Sequence, residues 1–198
     1  MIAIGVDCQN DFMNEKVGRL AVSGSEVIKP NIVKLIDRCR SGLASLWLTA
    51  DWHRENDPEI SATPDFKTTF PSHCIADTWG AQFIPEIESN TQNRWATFKK
   101  DKFSVWAGNI DFMIDFQSVC SNDHENDFIV FGVAGDVCVK ALLEGMLEIR
   151  PRLTVQVVVD CIASLSKEQF EKDIKELREK FQARGHRLFV VNHDEVML

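Results

Sequence analysis

The sequence predicts an α/β fold: a three-layer, Rossmann-like arrangement with a central, mainly parallel sheet of about six strands flanked by helices. Three observations predict it. Short apolar runs alternate with amphipathic stretches along the whole chain. The runs are strongly apolar, as strands buried on both faces of a parallel sheet must be. Polar residues capable of chemistry fall just after the runs, where open parallel sheets bind their ligands.

Ile2 to Val6 is the first predicted strand. Ser23 followed by Glu26 has the form of a capping box, and the helix it opens carries Ile28, Ile32, Leu35 and Cys39 at helical spacing. Ala44 to Thr49 is the second strand. The stretch from Asp51 to Glu86 is long, polar and rich in Pro, Asp and Thr, and long loops in compact domains are commonly functional. Arg94 to Phe98 is a shorter strand, Ile110 to Val119 a helix, Phe128 to Val133 a strand and Cys138 to Ile149 a helix. Leu153 to Val159 is a β-branched strand. Ser166 and Gln169 form a second capping box, ahead of a helix with Phe170, Ile174, Leu177 and Phe181 on one face. That helix ends near Gly185, and Arg187 to Val191 is the last strand.

The 198 residues suit one domain, 1–198, with a full core and a loop region at about 51–86. A net charge of −8 and the absence of a dense Lys/Arg cluster argue against nucleic acid as a partner. No apolar run approaches the length that spans a bilayer, and the N-terminus meets Asp7 too early for a signal peptide. The six cysteines lack the regular spacing of a disulfide scaffold. The expectation is a cytoplasmic protein with free thiols and no membrane partner.

Cys138 follows the run Phe128-Ile129-Val130-Phe131 and a small-residue turn, and opens a helix. Backbone N–H groups at a helix start favour the thiolate and also suit an oxyanion. A buried, inert small hydrophobe is the competing reading of the same residue. Asp7 ends the first strand, where a general base or a turn-capping aspartate are both at home. Asp51 and His53, two apart after the second strand, project to one side and suit a divalent metal of borderline softness. His73 offers a second imidazole further along, and Glu59 lies between. His124, His186 and His193 lack such company and receive no role. Lys100 sits in Lys99-Lys100-Asp101-Lys102, which on charge alone reads as solvated surface. Yet Asp7, Asp51 with His53, Lys100 and Cys138 all follow predicted strands, and so meet the strand-end rule together.

These residues resemble the isochorismatase-like superfamily of cysteine hydrolases, most of all its nicotinamidase/pyrazinamidase branch. Val6-Asp7-Cys8-Gln9-Asn10-Asp11-Phe12 matches the opening Asp-x-Gln-Asn-Asp-Phe. Asp51-Trp52-His53 matches the metal motif, and Phe70-Pro71-Ser72-His73-Cys74 a Trp-Pro-x-His-Cys segment. Lys100-x-Lys102-Phe103-Ser104-x-Trp106 is similar to Lys-x-Arg-Tyr-Ser-x-Phe, and Gly132-Val133-Ala134 through Cys138-Val139 to the nucleophile segment. The resemblance runs from Val6 to about Ser164 in family order.

It implies catalytic roles for Asp7, Lys100 and Cys138, and an oxyanion hole of the Ala134 and Cys138 backbone N–H groups beside a cis Val133–Ala134 peptide. It implies one divalent transition metal, zinc ahead of iron or manganese, on Asp51, His53 and His73, with Glu59 standing where the family often has another histidine. It implies ring contacts from Phe12 and Phe70, a small-molecule amide as substrate, and leaves a homo-oligomer open. Arg54 replaces a common proline, Phe70 the usual tryptophan and Gly135 a frequent threonine. These departures bear on substrate choice more than on chemistry. A sibling hydrolase for a ureido or carbamoyl substrate, and a non-catalytic binding protein, are the alternatives. An isochorismate-cleaving enzyme is disfavoured by the cysteine.

Overall fold

The computed structural model describes residues 1–42, 44–89, 95–121, 126–149 and 152–198. Six strands form one sheet: β1 (Ile2–Val6), β2 (Ser45–Asp51), β3 (Trp95–Lys100), β4 (Asp127–Gly132), β5 (Thr154–Ile162) and β6 (Arg187–Val191). All neighbours pair in parallel, in the order β3-β2-β1-β4-β5-β6. The chain steps outward from β1 to β3, then returns to the other side of β1 with β4. The crevice at that reversal, between β1 and β4, is the usual ligand position in such sheets.

Strand periodicity builds two cores. Ile2, Ile4 and Val6 of β1 and Phe128 and Val130 of β4 face one side; Ala3, Ile129 and Phe131 face the other. The first side is covered by helices α4 (Val105–Gly108), α5 (Ile110–Ser121), α6 (Lys140–Met146) and α7 (Lys167–Ala183), through residues such as Phe112, Phe116, Leu142, Ile174 and Phe181. Helices α1 (Asn10–Met13), α2 (Ser25–Ser41) and α3 (Pro85–Glu88) cover the second side, through Phe12, Met13, Ile32, Leu35, Ile36 and Ile87. An aromatic cluster anchors the first core: Phe116 stacks on Phe128 at 4.6 Å, and Phe98 meets Phe112 edge-on at 5.0 Å.

Several expectations shift. Ser23 and Glu26 form no capping box. The helix starts at Ser25 behind Gly24, whose φ of 82° is left-handed, and no side chain caps it. Glu26 instead accepts from the Glu15 N–H at 3.2 Å, while Glu15 accepts from the Glu26 N–H. Ser166 does cap α7, accepting from the Gln169 N–H. The helix expected from Cys138 to Ile149 begins earlier, as a wide π turn over Gly135–Val139, and its α part ends at Met146. β5 runs on through Asp160 and Cys161 to Ile162, which pairs with Gly132 after a register shift. Arg94, the expected start of the third strand, and His124 lie outside the described residues. The loop after β2 is far from structureless: it holds bridges His53↔Ile75 and Ile60↔Phe70 and a 3-10 turn at Trp79–Ala81. All six cysteines are buried free thiols. Among the described residues no helix is long and apolar enough to cross a membrane.

Gly132 ends β4 at φ 114°, and a Cβ there would collide with the Val6 backbone, 2.7 Å from its nitrogen and closer still to its oxygen. Gly132→Ala is therefore expected to cost about 2 kcal/mol or more in strain and displaced packing. Urea unfolding checks this, and an unchanged midpoint would show that the turn has room.

Candidate active site

Four strand ends deliver the charged side chains. Asp7 follows β1, Asp51 ends β2, Lys100 ends β3 and Cys138 lies in the π turn after β4. All are buried. Lys100 is central: its Nζ is 2.8 Å from Asp7 Oδ2, pairs closely with Asp51 Oδ1, and lies 3.8 Å from Cys138 Sγ. The surface reading of its lysine cluster fails because β3 alternates. Phe98 and Lys100 point in, while Lys99 and Lys102 are exposed. Lys99 sits over the Trp52 ring, 3.4 Å from its centroid.

Asp7 is held at φ 48°. Thr49 donates its hydroxyl to Asp7 Oδ1 at 2.6 Å. Oδ2 is 2.8 Å from Lys100 Nζ without hydrogen-bond alignment, and one carboxylate oxygen of Asp7 lies within 4.8 Å of Cys138 Sγ. Burial raises the Asp7 carboxyl above its ordinary range; Lys100 opposes this and Asp51 adds to it. Burial works the same way on Asp51, but there Lys100 and the two histidine rings win and hold it ionised, well below the usual range. Burial also acts against Lys100 and is overcome by Asp51 and Asp7, so its ammonium is retained. The helix-start field expected to favour a Cys138 thiolate is outweighed: burial pushes the thiol well up, Lys100 opposes, and Asp7 and Asp51 add to the rise. The resting sulfur is a thiol beside a raised carboxylate.

On the far side of Asp51, His53 Nε2 and His73 Nε2 lie 3.6 Å and 3.5 Å from Oδ2. One donor atom from each of these three residues falls within 4.8 Å of the others. His73 Nδ1 is 2.7 Å from the Pro71 carbonyl, which makes Nδ1 the donor and leaves the Nε2 lone pair facing Asp51. Neither ring nitrogen of His53 has an aligned hydrogen bond; Nδ1 lies 3.4 Å from Asp57 Oδ2, and the buried Nε2, facing Asp51, is the one that a cation would satisfy. A carboxylate and two imidazoles with open lone pairs fit a borderline divalent cation. Glu59 is not part of this three-donor cluster: its Oε1 accepts from the Phe103 N–H at 3.2 Å, and its Oε2 is buried without a partner. His186 and His193 are occupied elsewhere, with the Leu153 N–H and Asp160.

Both halves open on one cavity. Cys138, Asp51, His73 and Ala134 reach it, and Phe12, Phe70, Phe103, Leu20, Val22, Val137 and Leu165 complete its lining. Phe12 and Phe70 flank the His73 ring, with centroids 5.4 Å and 6.3 Å away. The Val133–Ala134 peptide is cis.

Residues 2–185 match the isochorismatase domain. The chain belongs to the isochorismatase family. It is 27% identical over 184 residues to the nicotinamidase/pyrazinamidase of Mycobacterium tuberculosis, covering 87% of this chain and 91% of that one. Its fold is similar to that of the pyrazinamidase of Pyrococcus horikoshii in complex with zinc, at TM-score 0.75 and 23% identity, over 96% of this chain and 98% of that chain. It is equally similar to N-carbamoylsarcosine amidase from Thermoplasma acidophilum, at TM-score 0.75 and 20% identity, covering 100% and 98%. Among isochorismatase-family folds, overall shape therefore does not choose between amides; the cavity lining has to.

Several residues of the site escape sequence reasoning. Asp11 is buried, and its carboxylate accepts from the N–H of Cys74 at 2.7 Å and of Arg19 at 3.0 Å, fixing the loop that carries His73. Asp136 accepts from the N–H groups of Leu165 and Ser166 at 2.9 Å and 2.8 Å, tying the nucleophile turn to a cavity wall. Gly135 packs so closely on Ser164 and Phe170 that a Cβ would clash, which accounts for glycine at this position. The signal available was the density of polar residues in Asp7 to Asp11, directly after an apolar strand.

Proposed function

We propose that this protein is an amidohydrolase that converts nicotinamide, and pyrazinamide, to the carboxylic acid and ammonia through a thioester on Cys138. The observation that carries this reading is the cavity itself. A thiol backed by a carboxylate and an ammonium meets a two-histidine, one-carboxylate donor set across an apolar, aromatic slot. A flat, neutral heteroaromatic amide suits such a slot. The 27% identity to a nicotinamidase/pyrazinamidase supports it.

Asp7, with its carboxyl raised by burial, takes the proton of the Cys138 thiol. Lys100, 3.8 Å from the sulfur, balances the charge that results. The thiolate attacks the carboxamide carbon and a C–S bond forms. The carbonyl oxygen becomes an oxyanion and accepts hydrogen bonds from the backbone N–H groups of Ala134 and Cys138, an effect worth about 3 to 4 kcal/mol per donor. Protonated Asp7 gives its proton to the nitrogen as the C–N bond breaks, and ammonia leaves. Asp7 then takes a proton from water, the hydroxide adds to the thioester, and the C–S bond breaks to give the acid and the thiol. Phe12 and Phe70 sandwich the ring.

Asp51, His53 and His73 would hold a divalent cation, with zinc favoured over iron or manganese and Glu59 outside the donor set. When bound, the cation supplies a Lewis-acid anchor for the ring nitrogen.

The main rival, hydrolysis of a ureido compound bearing a carboxylate, calls for a free cation in the pocket. Among the described lining residues there is no Lys or Arg, and Lys100 behind them is committed to Asp7 and Asp51. Ammonia release from a panel of nicotinamide, pyrazinamide and N-carbamoylsarcosine is expected to favour the two aromatic amides by about tenfold or more in kcat/KM, since contacts of a flat ring with Phe12 and Phe70 are worth about 0.5 to 1.5 kcal/mol each and an acyclic substrate makes neither. A preference for N-carbamoylsarcosine would overturn the assignment.

A further inference from the structure

β1 and β2 pair in register as far as Val6↔Thr49. One residue later Asp7 turns out of the sheet at φ 48°. β2 continues to Asp51, so it outruns its neighbour. Trp52 turns its N–H toward β3, donating to the Lys100 carbonyl at 2.7 Å. In a strand, successive residues direct their backbone groups to opposite neighbours. The N–H and C=O of Asp51 therefore point to the side that β1 has left.

The side chain of Gln9 fills that side. Asp51 donates its N–H to Gln9 Oε1 at 2.8 Å, and Gln9 Nε2 donates back to the Asp51 carbonyl at 2.7 Å. The second Nε2 hydrogen goes to the Ala81 carbonyl at 2.8 Å. Gln9 is fully buried, and both ends of its amide are used. It replaces, with a side chain, the next rung of the β1–β2 ladder, and it joins that rung to the segment after Trp79. Gln9 also pairs through its own backbone with Phe83.

Asp51 is where the two halves of the site meet. Oδ1 pairs with Lys100, and Oδ2 faces His53 and His73. A rotation of its backbone by one strand step would withdraw the carboxylate from both. We propose that Gln9 is a positioning residue whose amide fixes the Asp51 backbone so that one carboxylate serves Lys100 and the two-histidine set at once. The proposal rests on the reading that Asp51, His53 and His73 hold a divalent cation.

The test uses the full chain stripped of metal and titrated with zinc against a chromophoric chelator. Tm and kcat for nicotinamide of the zinc-loaded protein are measured in parallel. Gln9→Met keeps the length and loses every side-chain hydrogen bond. Gln9→Glu keeps an acceptor for the Asp51 N–H and serves if the methionine variant does not fold. Asn10→Ala is the matched control: it removes a buried amide that donates to the Trp79 carbonyl at 2.9 Å on the same segment and does not touch Asp51.

Gln9→Met is expected to weaken zinc binding and to lower kcat, each by about tenfold or more, as loss of a residue that orients a ligand does. Asn10→Ala is expected to lower Tm with zinc affinity and kcat near wild type. Equal losses of Tm in the two variants, with zinc affinity and kcat unchanged in both, would overturn the proposal and leave Gln9 a stabilising residue only. Asp51→Ala separates this from failure of the underlying reading. Wild-type zinc affinity in Asp51→Ala overturns the cation site and the proposal with it. Lost affinity there, with normal affinity in Gln9→Met, overturns the proposal alone.

Discussion

Cys138→Ala is expected to abolish amide hydrolysis while leaving the fold in place. The side chain is buried between the first core and the cavity, and alanine fits its space with the loss of one sulfur. What disappears is the atom that forms the thioester, and no neighbour replaces it. Cys8, Cys74 and Cys161 are fully buried, with thiols raised by burial far above working pH. Asp7→Asn is the companion variant: it keeps shape and the Thr49 contact but has no basic oxygen for the raised Cys138 thiol. Its rate is expected to fall by about 10²- to 10⁴-fold, the usual contribution of a positioned base. Ammonia release measures both, and near-UV circular dichroism confirms that each variant is folded. Intact mass of the wild type with a slow amide should show the acyl adduct. Residual activity of Cys138→Ala above about 1% of wild type, a difference under about 3 kcal/mol in barrier, would remove Cys138 from the mechanism.

Much of this site was legible because parallel sheets converge their strand ends. Asp7 and Asp51 come directly after apolar runs and Cys138 after a run and a short turn, and in the structure the ends of β1, β2 and β4 bring them together. The i, i+2 spacing of Asp51 and His53 placed both on one side, as found. Lys100 was harder. Its neighbours Lys99, Asp101 and Lys102 give it the look of surface, and only the phase of β3, fixed by buried Phe98 two residues before, turns it inward. Without that phase, the resemblance to a family motif was the better guide.

What sequence rules missed has physical reasons. Ser23 and Glu26 have capping-box spacing, but a left-handed Gly24 takes the cap position and Glu15 competes for Glu26. The helix-start dipole favours a Cys138 thiolate, but burial and the two carboxylates override it. Gln9 stands in a family motif but without a role, because no periodicity marks a side chain that stands in for a missing strand partner. The same holds for Asp11 and Asp136, whose partners are backbone groups far away in sequence. Local patterns show where the chain turns; which backbone groups are then left to satisfy depends on the assembled sheet.

The cation half gives the second large effect, and His53 rather than Asp51 is the residue to remove. Asp51 also pairs with Lys100, so its loss would disturb the nucleophile and confuse the two roles. The His53 ring meets Asp51 Oδ2 and the His73 ring, whose centroid is 4.8 Å away, and makes no hydrogen bond with Lys100 or Cys138 among the described residues. His53→Ala, or exhaustive chelation of the wild type, is expected to raise KM for nicotinamide at least about tenfold or to abolish turnover, the scale on which ligand-shell changes act. The thiol chemistry should survive, because Asp7, Lys100 and Cys138 keep their contacts. Iodoacetamide should therefore still label Cys138 in both preparations, with mass spectrometry locating the adduct. Elemental analysis of the purified wild type should find about one transition metal per chain, as one such donor set implies. If protein verified as metal-free hydrolyses nicotinamide at the full rate with an unchanged KM, the paired histidines have another role. The aromatic slot alone would then have to orient the ring.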